Sequence, residues 1–249
     1  MTDKNTLKIP TICADSSSVI GLTLFNPNNW EGESRGVVQS CANERSIISY
    51  AIDKLTIVCK NADQYCSHHL FTLQQLWKKS QWDLSKGIYF AQVPEIHLMI
   101  EAYFASVKSL LDLIVQLLST EGIVGVEIDG FHRSKNVYGG KVLNSLAKNA
   151  KARKKNIAKE FITLIDEHKN IWIDEIINLR DVLIHPNKDA NQIMFEMNLT
   201  EENGNLICNR IVPPSIGKIP IYKYAKEQLI NLDRFVNEFQ LIFKNPSAT

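Results

Sequence analysis

The segment from Pro94 to Gly122 constrains the fold of this chain more than any other part of its sequence. Its apolar residues recur at steps of three and four, the spacing that puts side chains on one face of an α-helix. They are Ile100, Tyr103, Phe104, Val107, Leu110, Leu111, Ile114, Leu117 and Leu118. Proline is favoured at a first helical position, and a glycine ends the pattern. The segment therefore predicts a long helix whose apolar face belongs to the core of a helical bundle.

Periodicity elsewhere predicts further helices and one small β element. Helical patterns cover about 39–61, 65–79, 141–150 and 156–184, the last as one helix or two nearly collinear ones, and a closing helix includes 225–243. Alternating segments at 192–199 and 205–212 flank Glu201-Glu202-Asn203-Gly204, which predicts a β-hairpin. The fold class that follows is mainly α, an up-and-down helical bundle with a small β-hairpin appendage.

The same patterns divide the chain into two parts. Residues 1–37 contain proline, a serine run and an Asn-Pro-Asn-Asn stretch, so they are expected to form an irregular N-terminal extension with a strand or two at most. Residues 38–249 are expected to form one helical domain, with the β-hairpin inserted at about 191–213 and a helix at the C-terminus. No internal repeat is visible.

Charge and cysteine usage indicate the environment of the protein. The chain has 28 basic and 27 acidic residues, so no overall field draws it to nucleic acid or to an anionic membrane. Its N-terminus lacks the layout of a secretory signal, and its richest apolar run, 110–118, is too short to span a bilayer. Its five cysteines form no CxxC pair, which fits free thiols in a reducing compartment. We therefore expect a cytoplasmic protein that does not enter membranes.

The strongest functional signal is an arginine near the end of the longest predicted helix. On a helical wheel Arg180 falls in the middle of an apolar sector, and Asp181 falls on the opposite side. An arginine on an apolar face is costly unless it is paired or lines a cleft or an interface. His185 precedes Pro186, and proline disfavours the α conformation of its predecessor. We therefore expect the helix to stop just before His185, which can then turn toward Arg180.

An arginine and a histidine at a helix C-terminus suit phosphodiester chemistry. The helix dipole there favours positive charge and tends to keep an imidazole protonated. Arg180 can brace the charge that builds on phosphorus, and His185 can take a proton from a ribose hydroxyl or give one to the leaving oxygen. Such a reaction needs no metal and no other cofactor. The alternative is that Arg180 bonds backbone carbonyls or a buried carboxylate and His185 only caps the helix.

Arg180, Asp181 and His185, followed by Pro186 at the end of an apolar helix, resemble the signature of the HEPN superfamily. The resemblance implies a metal-independent endoribonuclease of the toxin–antitoxin, antiviral-defence or RNA-processing kind, whose homodimer joins two motifs in one composite cleft. It implies RNA as substrate and an antitoxin or defence-complex protein as partner. Members often add a polar or acidic side chain from a neighbouring helix, for which Glu101 is the candidate. Other members are non-catalytic binding subunits, which is the alternative function.

A basic segment precedes the helix that carries the motif. Between residues 141 and 160 seven basic residues stand against one acid, Glu160. They are Lys141, Lys148, Lys151, Arg153, Lys154, Lys155 and Lys159. Such a segment predicts phosphate contacts to RNA, with affinity that falls as salt rises, and Tyr138 is a candidate to stack on a base. The alternatives are a solvated linker, as charge runs usually are, or an RNA-binding scaffold that uses this segment alone.

The remaining histidines and cysteines predict no metal site. Cys59, Cys66, His68 and His69 lie close in sequence, but they lack the paired spacing of zinc ligands. We expect buried thiols and surface histidines there. His168 falls on the apolar stripe of its helix, which is typical of a core histidine.

Overall fold

Helices make up most of the structure, a computed structural model that describes residues 24–79, 86–135, 137–184 and 193–244. The first half contains α1 (Gly32–Lys60), α2 (Ala62–Lys78), β1 (Lys86–Ala91) and α3 (Pro94–Thr120). The second half contains α4 (Gly140–Asn149), α5 (Lys155–His168), α6 (Asp174–Ile184), β2 (Phe195–Glu202), β3 (Asn205–Val212), β4 (Ser215–Ile216), β5 (Ile219–Pro220) and α7 (Ile221–Lys244). The predicted mainly α fold with a small β part is confirmed.

The long helix α3 lies at the centre of the hydrophobic core and packs along α1. Each of the nine apolar residues predicted for its face is at most 2% exposed. Burying a large aliphatic or aromatic side chain contributes about 1.5–3 kcal/mol, so this face alone is a major source of stability. None of the helices in the described residues is both long and apolar enough to span a membrane.

A buried ion pair joins α1 to α7. The Nε and Nη2 atoms of Arg45 donate to the two carboxylate oxygens of Asp233 at 2.6 and 2.7 Å, and its Nη1 donates to Ser49. Arg45 is 2% exposed, so its charge depends on this bidentate contact. The pair fixes how the closing helix lies against the first one.

Helices α5 and α6 form one long bent unit, as the 156–184 pattern predicted. A π-helical turn, Lys169–Ile173, connects them. His168 stands just before this turn and is 3% exposed, so its prediction as a core histidine is confirmed. Its Nδ1 accepts a hydrogen bond from Trp172 Nε1 at 3.0 Å, and its Nε2 lies 2.7 Å from Glu238 Oε2 on α7. Since Nδ1 accepts, the ring proton sits on Nε2 and donates to the carboxylate.

The predicted hairpin is present, but it belongs to a larger sheet. Strands β2 and β3 pair antiparallel around Asn203 and Gly204, which both have positive φ, as a tight hairpin turn requires. Strand β1 was not predicted from the sequence. It pairs antiparallel with β2, from Lys86 opposite Thr200 to Ala91 opposite Phe195. The sheet order is β1-β2-β3. A six-residue strand between two helices has too short a pattern to be recognised from the sequence. Its pairing partner also lies far along the chain, so no adjacent segment indicates the pairing.

The first helix begins earlier than its sequence pattern indicated. It starts at Gly32 and not at about Gln39, so part of the predicted irregular extension is helical. The first turn contains mostly polar, exposed residues, which hid the helical period. Two features hold this part of the helix in the fold. The Ser34 hydroxyl donates to Thr120 Oγ1 at 3.0 Å, and Val38 is buried, with 1% of its surface exposed. Residues 1–23 lie outside the described residues, so the strand or two predicted within 1–37 is not tested there.

Candidate functional site

Arg180 lies in the last turns of α6, and its side chain is 28% exposed. Its Nη1 donates to Asp181 Oδ1 at 3.0 Å, and in the described part of the chain its shielded Nε has no hydrogen-bond partner. The helical wheel put Asp181 on the opposite side of the helix. Adjacent helical positions point apart, but a long arginine side chain bends far enough to reach its neighbour.

Asp181 also binds the loop between α3 and α4. Its Oδ2 accepts a hydrogen bond from the Tyr138 hydroxyl at 3.3 Å and lies 3.5 Å from Arg133 Nη2. The Arg133 guanidinium carbon lies 3.8 Å from the centre of the Tyr138 ring, which is a cation–π contact. One carboxylate thus joins the guanidiniums of Arg133 and Arg180. Two cations and one anion leave an excess positive charge, which favours an anionic ligand.

Two contacts fix the loop that holds Arg133 and Tyr138. At its base Asp112 Oδ1 accepts from the Phe131 backbone N–H at 2.6 Å, and Asp112 Oδ2 accepts from Lys108 at 2.6 Å. At its other end Gly139 has φ +66°, and an added Cβ would lie 2.3 Å from the Phe131 ring. The backbone of 134–137 closes on itself, with Ser134 and Val137 exchanging two hydrogen bonds of 3.0 Å. These contacts therefore fix the loop and, with it, the positions of Arg133 and Tyr138.

Arg133 was not predicted as a site residue, although Tyr138 was named as a candidate to stack on a base. The signal that could have found Arg133 is the Gly139-Gly140 pair, since two glycines before a helix indicate a tight turn close to other backbone. His132, next to it, is also in this loop. Its Nε2 lies 3.7 Å from Asp129 Oδ1, and its side chain is 43% exposed.

The structure does not join the other two predicted catalytic residues to this cluster. His185 and Pro186 lie outside the described residues, and α6 is described as far as Ile184, so the predicted helix stop before His185 stays a prediction. Glu101 is exposed on α3, and within the described residues no hydrogen bond or ion pair connects it to Arg180 or Asp181. The structure therefore brings together Arg180 and Asp181, and His185 and Glu101 stay predictions.

The seven basic residues predicted to bind RNA lie on the surface. They are exposed except Lys154, which is half-buried. They are distributed over α4, the connection after it and α5. Lys159 borders a groove between α5 and α7 together with Glu160, Glu167 and Glu238. These carboxylates offset the positive charge of Lys159.

Lys151 differs from the other basic residues because it contacts the end of a helix. Its backbone N–H donates to Ile123 O at 3.1 Å, and its ammonium would lie 2.9 Å from a Cβ added at Gly122, just past the end of α3. A cation at a helix C-terminus is favourable because it faces the negative end of the dipole. Lys151 thus has a structural role in addition to its predicted contact with RNA.

Among the described residues Cys41, Cys59 and Cys66 are buried, and Cys208 is half-buried. Cys59 and Cys66 are 8% and 0% exposed, as predicted, and burial raises the pKa of both thiols, to about 12 and about 11. Among the described residues no group of three His, Cys, Asp or Glu side chains is arranged to hold a metal ion.

Comparison with known proteins does not extend this description. No protein-family model matches the chain, and neither a curated protein nor a solved structure is similar to it at a significant level. The chemistry of the candidate site therefore rests on its own side chains.

Proposed function

We propose that this protein is a metal-independent endoribonuclease of the HEPN type. It acts in the cytoplasm as a homodimer, in toxin–antitoxin or antiviral defence. The observation that carries the proposal is the partly exposed Arg180 guanidinium at the end of α6, which shares Asp181 with a second guanidinium.

The charges and exposures of this cluster support a phosphate ligand. Arg180 is 28% exposed and Arg133 is 50% exposed, so solvent and ligands can reach both. Asp181 engages one nitrogen of each, Nη1 of Arg180 and Nη2 of Arg133. A guanidinium has five N–H donors in a planar fork that matches two oxygens of a phosphate. Donors therefore remain to bind the non-bridging oxygens and to stabilise the charge that develops on them.

The reaction proposed for this site is transfer within the RNA strand. The ribose 2′-oxygen attacks the adjacent phosphorus, and its proton passes to a base. The bond from phosphorus to the 5′-oxygen breaks, and that oxygen takes up a proton. The products are a 2′,3′-cyclic phosphate and a 5′-hydroxyl. His185, which follows the last described residue of α6, is the proposed proton carrier on the strength of the sequence motif. Asp181 positions Arg180.

The test is cleavage of a single-stranded RNA in EDTA by purified protein. The wild type is expected to cut and to leave 2′,3′-cyclic phosphate ends. His185→Ala removes the proposed proton carrier, and Arg180→Lys removes the bidentate stabilisation of the phosphate charge. Each is expected to lower the rate by about 100-fold or more. His68→Ala and Arg234→Lys are matched controls, because both residues are exposed and belong to other surfaces. Thermal unfolding checks that each variant is folded.

The alternative function is an RNA-binding scaffold or a non-catalytic binding subunit. A scaffold would leave RNA intact, would bind it equally well after His185→Ala, and would lose binding when Lys148, Arg153, Lys154 and Lys155 are replaced by glutamine. A wild-type protein that leaves RNA intact in EDTA and with added divalent metal contradicts the nuclease proposal. A protein that cuts only with a divalent metal contradicts its metal-independent mechanism.

A further inference from the structure

We propose that Arg133, supported by Tyr138, is a nucleotide-binding subsite on which one base of a single-stranded RNA stacks. The inference rests on the proposed function, because it takes RNA to be the ligand of the adjacent Arg180. It adds a residue that discriminates a nucleotide from a bare phosphate.

The geometry prepares Arg133 for stacking. Its guanidinium lies 3.8 Å from the centre of the Tyr138 ring, so one face is covered by the ring. Half of the Arg133 side chain is exposed, so solvent and ligands can reach it. Planar guanidiniums stack on nucleobases, and an aromatic ring beneath holds the plane in place. A base on the outer face completes a stack of tyrosine, arginine and base.

The subsite lies close to the proposed phosphate site. Asp181 Oδ1 contacts Arg180, and Asp181 Oδ2 contacts both Arg133 and the Tyr138 hydroxyl. Because a single carboxylate joins the two guanidiniums, a base on Arg133 and a phosphate on Arg180 belong to the same nucleotide or to neighbouring ones. Arg133 thus selects the position of the strand relative to Arg180.

A neighbouring cleft favours a base over a second phosphate. It has a volume of about 250 Å³ and includes Ser134, which follows Arg133 in the chain. Glu127 and Asp129 line it together with Lys141, so acidic residues outnumber basic ones there. A phosphate is repelled by this excess negative charge, whereas the amino and imino groups of a base edge can donate to carboxylates. The cleft therefore accommodates the polar edge of the base that stacks on Arg133.

The test compares two 2′-O-methyl oligonucleotides, which attack by a 2′-hydroxyl cannot cleave. One has all its bases, and the other has abasic spacers in their place. Binding is measured by fluorescence anisotropy. Arg133→Lys keeps the charge and loses the planar face, so it is expected to weaken binding of the first oligonucleotide about tenfold and to leave binding of the second unchanged. Tyr138→Ala is expected to act in the same direction, and Arg234→Lys is the matched control.

Three results would overturn the inference. They are equal losses on the two oligonucleotides, no loss on either, and no binding of either by the wild type. The outcome for the nuclease is read separately. A wild type that binds with an Arg133-dependent base preference but leaves RNA intact refutes the proposed function and supports the subsite. A wild type that cuts RNA but shows no Arg133-dependent base preference supports the proposed function and refutes the subsite.

Discussion

Gly139→Ala tests whether the loop that holds Arg133 and Tyr138 is built as described. The residue has φ +66°, where an L-residue costs about 1–2 kcal/mol relative to its usual conformations. An added Cβ would also lie 2.3 to 2.8 Å from three ring atoms of Phe131, which is 1% exposed and cannot move freely. Overpacking of this kind costs about 1–3 kcal/mol. The two effects together predict a loss of about 2–5 kcal/mol in the free energy of unfolding.

The loss is measured by urea denaturation and by the melting temperature. In a chain of this size each kcal/mol shifts the melting temperature by about 2–4 °C, so a decrease of about 4–20 °C is expected. Gly36→Ala is the matched control, because Gly36 is in α1 and its added Cβ would have nothing within 4 Å. That variant is expected to gain about 0.5–1 kcal/mol, the usual preference of a helix for alanine over glycine.

A second substitution separates the two causes of the loss. Phe131→Leu in the Gly139→Ala background makes room for the new methyl group and is expected to recover part of the stability. Because Phe131→Leu by itself costs core packing, its effect is compared with that of Phe131→Leu in the wild-type background, and equal effects in the two backgrounds assign the whole cost to the left-handed backbone. Because Tyr138 precedes Gly139 directly, the folded fraction of Gly139→Ala is also expected to bind single-stranded oligonucleotides more weakly. Unfolding of Gly139→Ala at the same urea concentration as the wild type would refute the described packing.

Two further predictions concern the core. His168→Leu removes the acceptor of the Trp172 indole N–H and leaves that donor buried, so a loss of about 2–4 kcal/mol is expected in urea denaturation, and a loss within error of zero would contradict the network. Burial raises the pKa of the Cys66 thiol from 9.0 to about 11, so between these pH values the unfolded chain releases a proton that the folded chain retains. The free energy of unfolding is then expected to fall by about 1.4 kcal/mol per pH unit for this thiol, and a pH series in which Cys66→Ala leaves the slope unchanged would disprove it.

The sequence predicted the parts of the fold that local patterns determine. The apolar face of α3 was predicted residue by residue, because a 3.6-residue period reports directly which side of a helix is buried. His168 was identified as a core residue for the same reason, since it falls on the apolar stripe of its own helix. The hairpin β2–β3 was found from its turn residues and from its alternation.

Elements that depend on distant contacts were missed or misplaced. Strand β1 is stabilised by pairing with β2, more than a hundred residues further along, and its own six residues contain too short a pattern. The first turn of α1 is polar in sequence and is anchored by contacts such as Ser34 with Thr120. Local propensity describes neither contact, because tertiary packing decides both.

The candidate site shows the same division between local and distant determinants. Considered by itself, the end of α6 presents Arg180 beside Asp181, a pair with no net charge and little attraction for a phosphate. The excess positive charge appears when the loop after α3 brings Arg133 to the second carboxylate oxygen of Asp181. We therefore expect the proposed affinity of this helix end for anions to depend on a segment that lies more than forty residues earlier and is held by Asp112 and Gly139. Variants that loosen this loop are then expected to weaken phosphate binding even though they leave every residue of the motif in place.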